Sequence, residues 1–195
     1  MRSQVSLAAT LLLGILQSQH PAPVTLELRV FNAAEEVTSH VRATIHRGGD
    51  RGEPVAHRNP AESPLQLTVP EGIYDVQVFL ERDGKVLNIR WANRLVVMRY
   101  PDEGGRHLEV VNFQSGFGAL QVRGAEGPPP DVSIYPAGRR DRVAAQPVAG
   151  QDYLLFVVQS GVYDLQTRVS GKTAWHTAIE IPLDRTRFWV IPPQD

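Results

Sequence analysis

The chain carries the same short pattern twice, and this duplication constrains its fold more than any other feature. Gly72–Val78 reads Gly-Ile-Tyr-Asp-Val-Gln-Val, and Gly161–Thr167 reads Gly-Val-Tyr-Asp-Leu-Gln-Thr, at an offset of 89 residues. Each copy is followed by a tryptophan, Trp91 or Trp175, and then by a β-rich run. A repeat of this length indicates a duplicated folding unit. The pattern therefore predicts an architecture and does not name a substrate or a reaction.

Alternation between apolar and polar residues dominates the chain after residue 20. Every second residue from Val24 to Val30 is apolar, which places the apolar set on one face of a strand. The same period recurs in both halves, and no later stretch keeps helical spacing for three turns. These patterns predict an all-β chain that folds as two tandem immunoglobulin-like or transthyretin-like β-sandwiches.

The boundary between the two units is predicted at Gln114-Ser115-Gly116, which separates two stretches that each hold one copy of the pattern. We therefore predict a first β-sandwich over residues 24–114 and a second over residues 117–195. The linker is so short that the two sandwiches are expected to touch. Within the first, Asp83-Gly84 lies between two alternating runs and is typical of a type I′ hairpin turn.

The N-terminus is typical of a secretory signal peptide. A short positively charged start is followed by an apolar stretch from Val5 to Leu16 that is too short to span a bilayer as a helix. We predict a signal peptide over residues 1–20, cleaved near residues 18–22, and hence a secreted or periplasmic protein with no membrane span in the mature chain. A buried N-terminal helix and a retained membrane anchor are the alternatives.

Charge and cysteine content argue against several classes of function. The chain has 20 basic and 21 acidic residues and a formal net charge of −1, whereas nucleic-acid-binding proteins normally carry a clear basic excess. It has no cysteine, which removes thiol catalysis, thiolate metal sites and disulfides. A nucleic-acid partner is therefore not expected, and an exported chain of this kind must be stabilised by packing alone.

The repeated pattern is interpreted as a structural corner. Pro70 ends one strand, and Gly72 is expected to adopt a backbone conformation that is closed to residues with a Cβ. Tyr74 then begins the next strand, where its ring packs inward and its hydroxyl bonds a backbone group, as in the tyrosine corner of immunoglobulin-like sandwiches. Gly161 and Tyr163 are expected to do the same in the second copy.

This strand-Pro-x-Gly-x-Tyr-x-Val-x-Val pattern resembles that of carboxypeptidase regulatory-like, or transthyretin-like, β-sandwich domains. It also resembles the small sandwich repeats of bacterial secreted and surface proteins. The resemblance covers the second half of each unit, and the second copy departs from it with Gln159-Ser160 where the first has Pro70-Glu71. It implies a sandwich of about seven strands that is usually non-catalytic and serves as a spacer, an adhesion element or an accessory to another domain.

Sites for catalysis or metal binding are not evident in the sequence. It contains no His-Glu-x-x-His motif, no Gly-x-Ser-x-Gly elbow and no Asp-x-Asp-x-Asp-Gly calcium loop. Asp75 and Asp164 are interpreted as outward-facing residues of the corner strand. Trp91 follows Leu87 and Ile89, which have inward parity, and both Trp91 and Trp175 are interpreted as core residues rather than sugar-stacking platforms. We predict no catalytic residues, no metal site and no cofactor.

Two charged, glycine-containing loops at matching places are the predicted binding surface. Loops on a rigid sandwich commonly carry recognition, and the arginine fork suits bidentate contact with carboxylates or sulfated glycans. The alternative is an ordinary solvated loop with internal arginine–aspartate pairing. The candidate residues are Arg47, Asp50 and Arg51 in the first unit and Arg139, Arg140 and Arg142 in the second.

These observations favour a non-catalytic binding, adhesion or envelope-accessory module that recognises a protein or glycan at the cell envelope. Two alternatives stay open. One is a small carboxylate-dependent hydrolase with its acids at the inter-domain cleft. The other is a periplasmic assembly chaperone that pairs an edge strand with its client and uses a basic pair in the cleft, for which Arg123 is a candidate.

Overall fold

The computed structural model describes residues 23–60, 65–99, 105–125, 127, 129–169 and 171–192. The predicted signal peptide lies outside these residues. Strands form nearly all of the regular structure, which confirms the all-β prediction, and a 3-10 turn lies at Thr38–His40. No described segment is a helix long and apolar enough to cross a membrane.

The strands of the first half form a sandwich of two sheets. They are β1 (Pro23–Asn32), β2 (Glu35–Glu36), β3 (Val41–Arg47), β4 (Ala56–Arg58), β5 (Leu65–Pro70), β6 (Gly72–Arg82), β7 (Lys85–Val97) and β8 (Arg106–Asn112). The inner sheet is centred on β1, with β2 and β5 antiparallel on one side and β8 parallel on the other. The outer sheet has the antiparallel order β4-β3-β6-β7.

The strands of the second half form a matching sandwich. They are β9 (Phe117–Gly124), β10 (Asp131–Pro136), β11 (Val148–Ala149), β12 (Leu154–Gln159), β13 (Gly161–Val169), β14 (Lys172–Ile181) and β15 (Thr186–Ile191). The inner sheet has the order β11-β12-β9-β15, with β15 parallel to β9, and the outer sheet has the order β10-β13-β14. In both units the first and last strands therefore pair in parallel. The predicted limits of independent domains, residues 24–114 and 117–195, stay a prediction.

Each unit has an apolar core between its two sheets. In the first unit Leu26 and Leu28 of β1 are fully buried against side chains of β3 and β6. In the second, Leu120 of β9 and Leu165 of β13 belong to one buried cluster. The alternation predicted for Val24–Val30 is confirmed on this face of β1.

A third apolar cluster lies between the two inner sheets and joins the units. Phe31 and Val110 of the first unit pack with Tyr153, Leu155 and Val157 of the second. The protein is therefore four sheets deep, and both inner sheets are covered on their two faces.

The polar residues of β1 are buried against the second unit, which the alternating pattern did not predict. Glu27 is 3% exposed and Arg29 is 5% exposed. Arg29 donates hydrogen bonds to Glu36 in its own unit and, across the interface, to the Ala149 carbonyl (3.2 Å) and the Tyr153 hydroxyl (3.3 Å). An alternating strand is expected to leave its polar face in solvent. Here the second inner sheet covers that face.

The predicted inward orientation of three β7 residues is wrong because the strand is irregular. A register shift lies between Tyr74 and Val76 of β6, where β7 holds one residue more than its partner. The extra residue inverts which side chains of β7 face the core. Ile89 is consequently 51% exposed, and Trp91 lies half-buried on the outer face of the sheet. Leu87, the unpaired residue of a second register shift, is 57% exposed.

Asp83-Gly84 forms the predicted hairpin turn between β6 and β7. Arg82 pairs with Lys85, which leaves two residues in the turn. Both have positive φ, 51° at Asp83 and 72° at Gly84. A type I′ turn requires this combination, so the hairpin prediction is confirmed.

Candidate functional site

The two corner tyrosines occupy equivalent positions in the two units. Tyr74 donates a hydrogen bond to the Pro70 carbonyl at 2.7 Å, and Tyr163 donates one to the Gln159 carbonyl at 2.6 Å. Both rings are buried, and burial raises the pKa of each phenol. Each tyrosine thus ties the start of β6 or β13 to the end of the preceding strand.

The conformational role expected of Gly72 and Gly161 is wrong. Neither glycine has a positive φ. A Cβ would meet the Tyr74 ring at 3.5 Å in the first case and the Tyr163 ring at 3.7 Å in the second, which are ordinary contact distances. The backbone of the corner therefore does not require glycine at either position.

Asp75 is buried and accepts backbone hydrogen bonds, so the prediction that it faces outward is wrong. It is 4% exposed, and its carboxylate accepts backbone hydrogen bonds from Arg94 at 2.8 Å and from Gly49 at 3.1 Å. The Arg94 hydrogen bond is the main cause that holds the pKa of Asp75 below its ordinary value. Arg94 lies in the bulge of β7 with φ of 55°, so the carboxylate pins both the bulge and the neighbouring loop.

Asp164 repeats this arrangement in the second unit, which corrects the same interpretation there. It is 3% exposed and accepts backbone hydrogen bonds from Gly138 and Ala178, each at 3.2 Å. The Gly138 hydrogen bond is the first cause of its lowered pKa. Ala178 has φ of 59° and lies beside the register shift between β13 and β14. Asp75 and Asp164 are called the bulge aspartates below.

One arginine from each candidate loop covers the tryptophan of its unit. The Arg51 guanidinium lies 4.2 Å from the centroid of the Trp91 ring and 3.7 Å from the bulge aspartate. The Arg140 guanidinium lies 4.0 Å from the Trp175 ring and 3.5 Å from the bulge aspartate. Trp175, expected in the core, is half-buried on the outer face opposite Gln166. These two arginines hold the loops on the outer sheets by cation–π and charge contacts.

The other candidate residues of the first unit lie in its exposed loop or at the end of the strand that precedes it. Asp50 accepts a hydrogen bond from the Gly52 N–H at 2.9 Å, and Arg47 is the last residue of β3, opposite Tyr74. In the part of the chain that the structure covers, no hydrogen bond or ion pair joins this loop to the matching loop of the second unit. The structure thus does not bring the six candidate residues together into one site.

A cavity with a volume of 690 Å³ lies mainly in the second unit, and Ala34 of the first unit is also part of its wall. Two of the predicted binding residues, Arg139 and Arg142, line it together with Asp141, and all three are exposed. This cavity is called the loop cavity. Its apolar walls include Phe117, Val143, Val148, Val157 and Tyr163.

Strand β10, which belongs to the outer sheet of the second unit and lies next to the loop cavity, has an uncovered edge. In the first unit β4 pairs with β3 through three residue pairs. In the second, the corresponding segment makes a single bridge between Ala145 and Ile134, where the Ala144 N–H donates to the Ile134 carbonyl at 2.7 Å. The chain then leaves at Pro147, which has no N–H to donate. No described strand lies beside residues 131–133 on this edge.

The acidic residues between the units are engaged in contacts. Their partners are Tyr153 for Glu27, Arg29 for Glu36, and Arg106 and Arg123 for Asp152. Across the residues with described positions, no three histidine, aspartate or glutamate side chains lie close enough to hold a metal ion.

Comparison with known proteins does not place the chain in a family. No protein-family model matches it, and no curated protein matches it. Three solved structures show what the chain is similar to. The Bacillus anthracis TIE protein is 13% identical, with a TM-score of 0.32, over 87% of this chain and 33% of that chain. This chain thus spans a third of the length of that protein.

Two further structures cover the chain to a similar extent. The minor pilin of Streptococcus agalactiae is 12% identical, with a TM-score of 0.31, over 89% of this chain and 97% of that chain. The tip fimbrial protein of Porphyromonas gingivalis is 10% identical, with a TM-score of 0.34, over the same shares of the two chains. Similarity at this level assigns no function to the chain.

Sequence reasoning predicted that the two units touch, but it did not identify the residues of their contact or the loop cavity. A signal for the contact was present, because Leu154–Val158 is an uninterrupted apolar run that indicates a strand buried on both faces. Phe31 is also an apolar residue on the otherwise polar face of β1. The loop cavity left no such signal, since it forms where the 139–148 segment meets β12 in space.

Proposed function

We propose that the protein is a non-catalytic recognition module of the cell envelope or its exterior, which binds an extended acidic polypeptide segment through its second unit. The observation that carries this proposal is the combination of the apolar loop cavity with the exposed arginines Arg139 and Arg142. Neither guanidinium forms an ion pair or hydrogen bond with another residue that the structure describes. Such a surface fits a ligand that carries carboxylates beside apolar side chains.

The uncovered edge of β10 favours a polypeptide as the ligand. An unpaired strand edge offers a row of N–H and C=O groups to a second chain. The segment that leaves this edge, including Ala145 and Pro147, also lines the loop cavity. An extended segment that pairs with β10 can therefore direct alternate side chains toward the cavity.

A glycan is the less favoured partner because the tryptophans of the outer faces are already covered. Arg51 lies over Trp91 and Arg140 lies over Trp175. The apolar part of the loop cavity wall consists mainly of valine, alanine and proline side chains, which offer no hydrogen bonds to sugar hydroxyls.

The alternative functions have less support. A hydrolase of the predicted kind requires acids that face a cleft with pKa values pushed apart. Glu27, Glu36 and Asp152 instead contact tyrosine or arginine side chains between the units. A chaperone with a basic pair in the cleft would use Arg123, which lies 3.3 Å from the Asp152 carboxylate.

The proposal includes export of the protein and kinship with a family of β-sandwich domains. The apolar stretch Val5–Leu16 supports export. The Gly-x-Tyr-Asp corner supports kinship with carboxypeptidase regulatory-like sandwiches. N-terminal sequencing of the protein recovered outside the cytoplasm is expected to begin near residues 18–22. Recovery of a chain that begins at Met1 in the cytoplasm would contradict the export.

The recognition proposal is tested with short fluorescent peptides of alternating composition. The probe is an octapeptide of alternating valine and glutamate, and its matched control replaces each glutamate by glutamine. We expect fluorescence anisotropy to show binding of the glutamate peptide, with the glutamine peptide weaker by about tenfold or more. Equal binding of the two peptides, or no binding of either, would overturn the proposal.

Variants locate the binding site. The double variant Arg139→Gln/Arg142→Gln is expected to weaken binding of the glutamate peptide by about tenfold or more, because both cationic partners are lost. The matched control is Arg58→Gln/Arg82→Gln, which removes two exposed arginines of the first unit and is expected to leave binding unchanged. Equal effects of the two double variants would show binding by overall charge and would overturn the proposed site.

A further inference from the structure

A second uncovered edge lies in the first unit, along β7. This strand ends the outer sheet β4-β3-β6-β7, and no strand of the described ranges pairs with its free side. Edge strands are commonly protected by a short length, by proline, by lysine or by a charged bulge. β7 holds 13 residues and no proline, its only lysine is its first residue, and its bulge at Leu87 adds an apolar side chain. The edge is therefore open to a second strand.

Exposed apolar side chains are concentrated along this edge. Val86, Leu87 and Ile89 follow each other closely on β7, and each is half exposed. Leu183 of the second unit is also half exposed, and it lies next to the same edge because the residue after it bonds Arg90 of β7 at 2.6 Å. Large apolar side chains that gather on an exposed surface indicate an interaction site.

The second unit lacks this feature, although it is built on the same pattern. β6 and β7 hold 11 and 13 residues, whereas the matching strands β13 and β14 hold 9 and 10. Trp91 and Trp175 are equivalent, because each pairs with the glutamine of the repeated pattern. Two residues before the tryptophan, the first unit has Ile89 and the second has the polar Thr173. The longer, apolar hairpin is therefore not required to complete a unit of this fold.

The charges at the two ends of the open edge are complementary to those of a reversed copy. The hairpin tip carries Asp83 and Lys85, both exposed. The far end carries Arg90, which is paired with Asp184 of the second unit. If two copies of β7 run antiparallel, the tip of each lies beside the far end of the other. Asp83 is then near Arg90 of the second copy and Lys85 is near its Asp184, whereas a parallel arrangement would place like charges together, which is unfavourable.

We propose that two copies of this chain associate through the edge of β7, with the two strands antiparallel along Val86–Ile89. The outer sheets of the two copies then form one continuous sheet, and the apolar side chains of the edge are removed from water in both copies. The same segment is used on each side, so the contact has a two-fold axis and the assembly closes as a dimer. This dimer is independent of the polypeptide recognition proposed for the second unit, which uses β10 and the loop cavity.

Sedimentation equilibrium of the intact protein tests the association. Pairing along one short segment buries an area at the low end for specific interfaces, about 1,200 Å² or less, so we expect a transient dimer with a Kd on the order of 10 μM. Between about 1 and 100 μM protein, the measured mass is expected to rise from that of one chain to that of two. The mass of one chain at every concentration would leave the edge to a different partner and overturn the proposal, as would growth beyond two chains.

Variants locate the contact on β7. Ile89→Lys places a charge in the middle of the apolar edge and is expected to weaken dimerisation by about tenfold or more. The Ile89 side chain is exposed, so the variant is expected to fold. Val162→Lys is the matched control, because Val162 is an equally exposed apolar residue on the outer sheet of the second unit. It is expected to leave the dimer unchanged, as is Arg139→Gln/Arg142→Gln. Equal effects of Ile89→Lys and Val162→Lys would contradict the assignment.

Cysteine crosslinking tests the antiparallel direction of the strands. The chain has no cysteine, so one introduced thiol reports one contact. With a short bismaleimide linker, Asn88→Cys is expected to give a crosslinked dimer, because the two-fold axis brings this residue of the two copies together. Lys85→Cys is expected not to link, since antiparallel strands hold its two copies about 20 Å apart. Linkage of Lys85→Cys as efficient as that of Asn88→Cys would indicate parallel strands and overturn the proposal.

Discussion

The hydroxyl of Tyr153 in the second unit donates a hydrogen bond to the carboxylate of Glu27 in the first, and both residues are buried. Burial, followed by the Glu27 carboxylate, raises the pKa of this phenol well above its ordinary value, so it stays a donor at neutral pH. Arg29 contacts the same hydroxyl at 3.3 Å. A satisfied polar network of this kind specifies one arrangement of the surfaces that enclose it.

Removing the Tyr153 hydroxyl is expected to destabilise the whole protein. Tyr153→Phe leaves Glu27 and Arg29 buried with fewer partners, which lowers the free energy of unfolding by about 1–3 kcal/mol. Urea unfolding followed by fluorescence measures this difference. The control is Tyr135→Phe, because the Tyr135 hydroxyl lies 3.5 Å from Gln166 Oε1 and is a weak contact. Losses of equal size in the two variants would contradict the role assigned to Tyr153.

The two corner tyrosines are expected to contribute similar amounts to stability. Tyr74→Phe and Tyr163→Phe each leave a main-chain carbonyl without its phenol donor, so each lowers the free energy of unfolding by about 1–2 kcal/mol. Chemical denaturation of the single variants measures both losses. A loss in one variant and none in the other would show that the duplicated pattern does not have the same structural role in the two units.

The bulge aspartates are expected to make the protein sensitive to acid. The lowered pKa of Asp75 means that its carboxylate contributes stability above the unfolded pKa, about 3.9, and that this contribution disappears as the pH falls through the folded pKa. Asp75→Asn is therefore expected to be less stable than the parent at pH 7, with a difference that shrinks below about pH 4. Urea unfolding between pH 7 and pH 3 measures this trend.

A matched control for the acid experiment is Asp131→Asn. Asp131 is exposed, and its carboxylate lies 3.7 Å from the exposed Arg168. Such a surface pair contributes little, so this variant is expected to follow the parent at every pH. A difference between Asp75→Asn and the parent that stays constant from pH 7 to pH 3 would contradict the assignment of Asp75.

Replacement of Ala178 by glycine is expected to stabilise the bulge of β14. Ala178 has φ of 59°, a region that costs residues with a Cβ about 1–2 kcal/mol. Ala178→Gly relieves that cost and is expected to raise the melting temperature. Ala174→Gly, in the regular part of the same strand, is the matched control and is expected to lower it. Thermal unfolding by circular dichroism measures both, and a lower melting temperature for Ala178→Gly would contradict the bulge geometry.

Local signals were sufficient to predict the all-β class of this fold and the Asp83-Gly84 hairpin turn. The alternation in β1 identified its core face, and Asp83-Gly84 identified a hairpin, because both depend on neighbouring residues only. The orientation of Trp91 depended on a register shift between two strands, which no single-strand period contains. The burial of Glu27 depended on Tyr153, which lies 126 residues away.

The candidate site was predictable in location and not in detail. The matching loops were identified from their composition, and two of their arginines do line the loop cavity. The direction of each side chain depends on tertiary contacts, so the sequence did not separate Arg139 and Arg142 from Arg140, which turns onto Trp175.

The most direct test of the recognition proposal is photo-crosslinking from Val143, an exposed residue that lines the loop cavity, in cells that produce the protein naturally. A photoreactive phenylalanine at this position is expected to yield one adduct, which mass spectrometry maps to an extended acidic segment of a partner chain. The adduct is expected to be lost in Arg139→Gln/Arg142→Gln and kept in Arg58→Gln/Arg82→Gln. An adduct that survives the loss of Arg139 and Arg142, or that maps to a segment without carboxylates, would contradict the account.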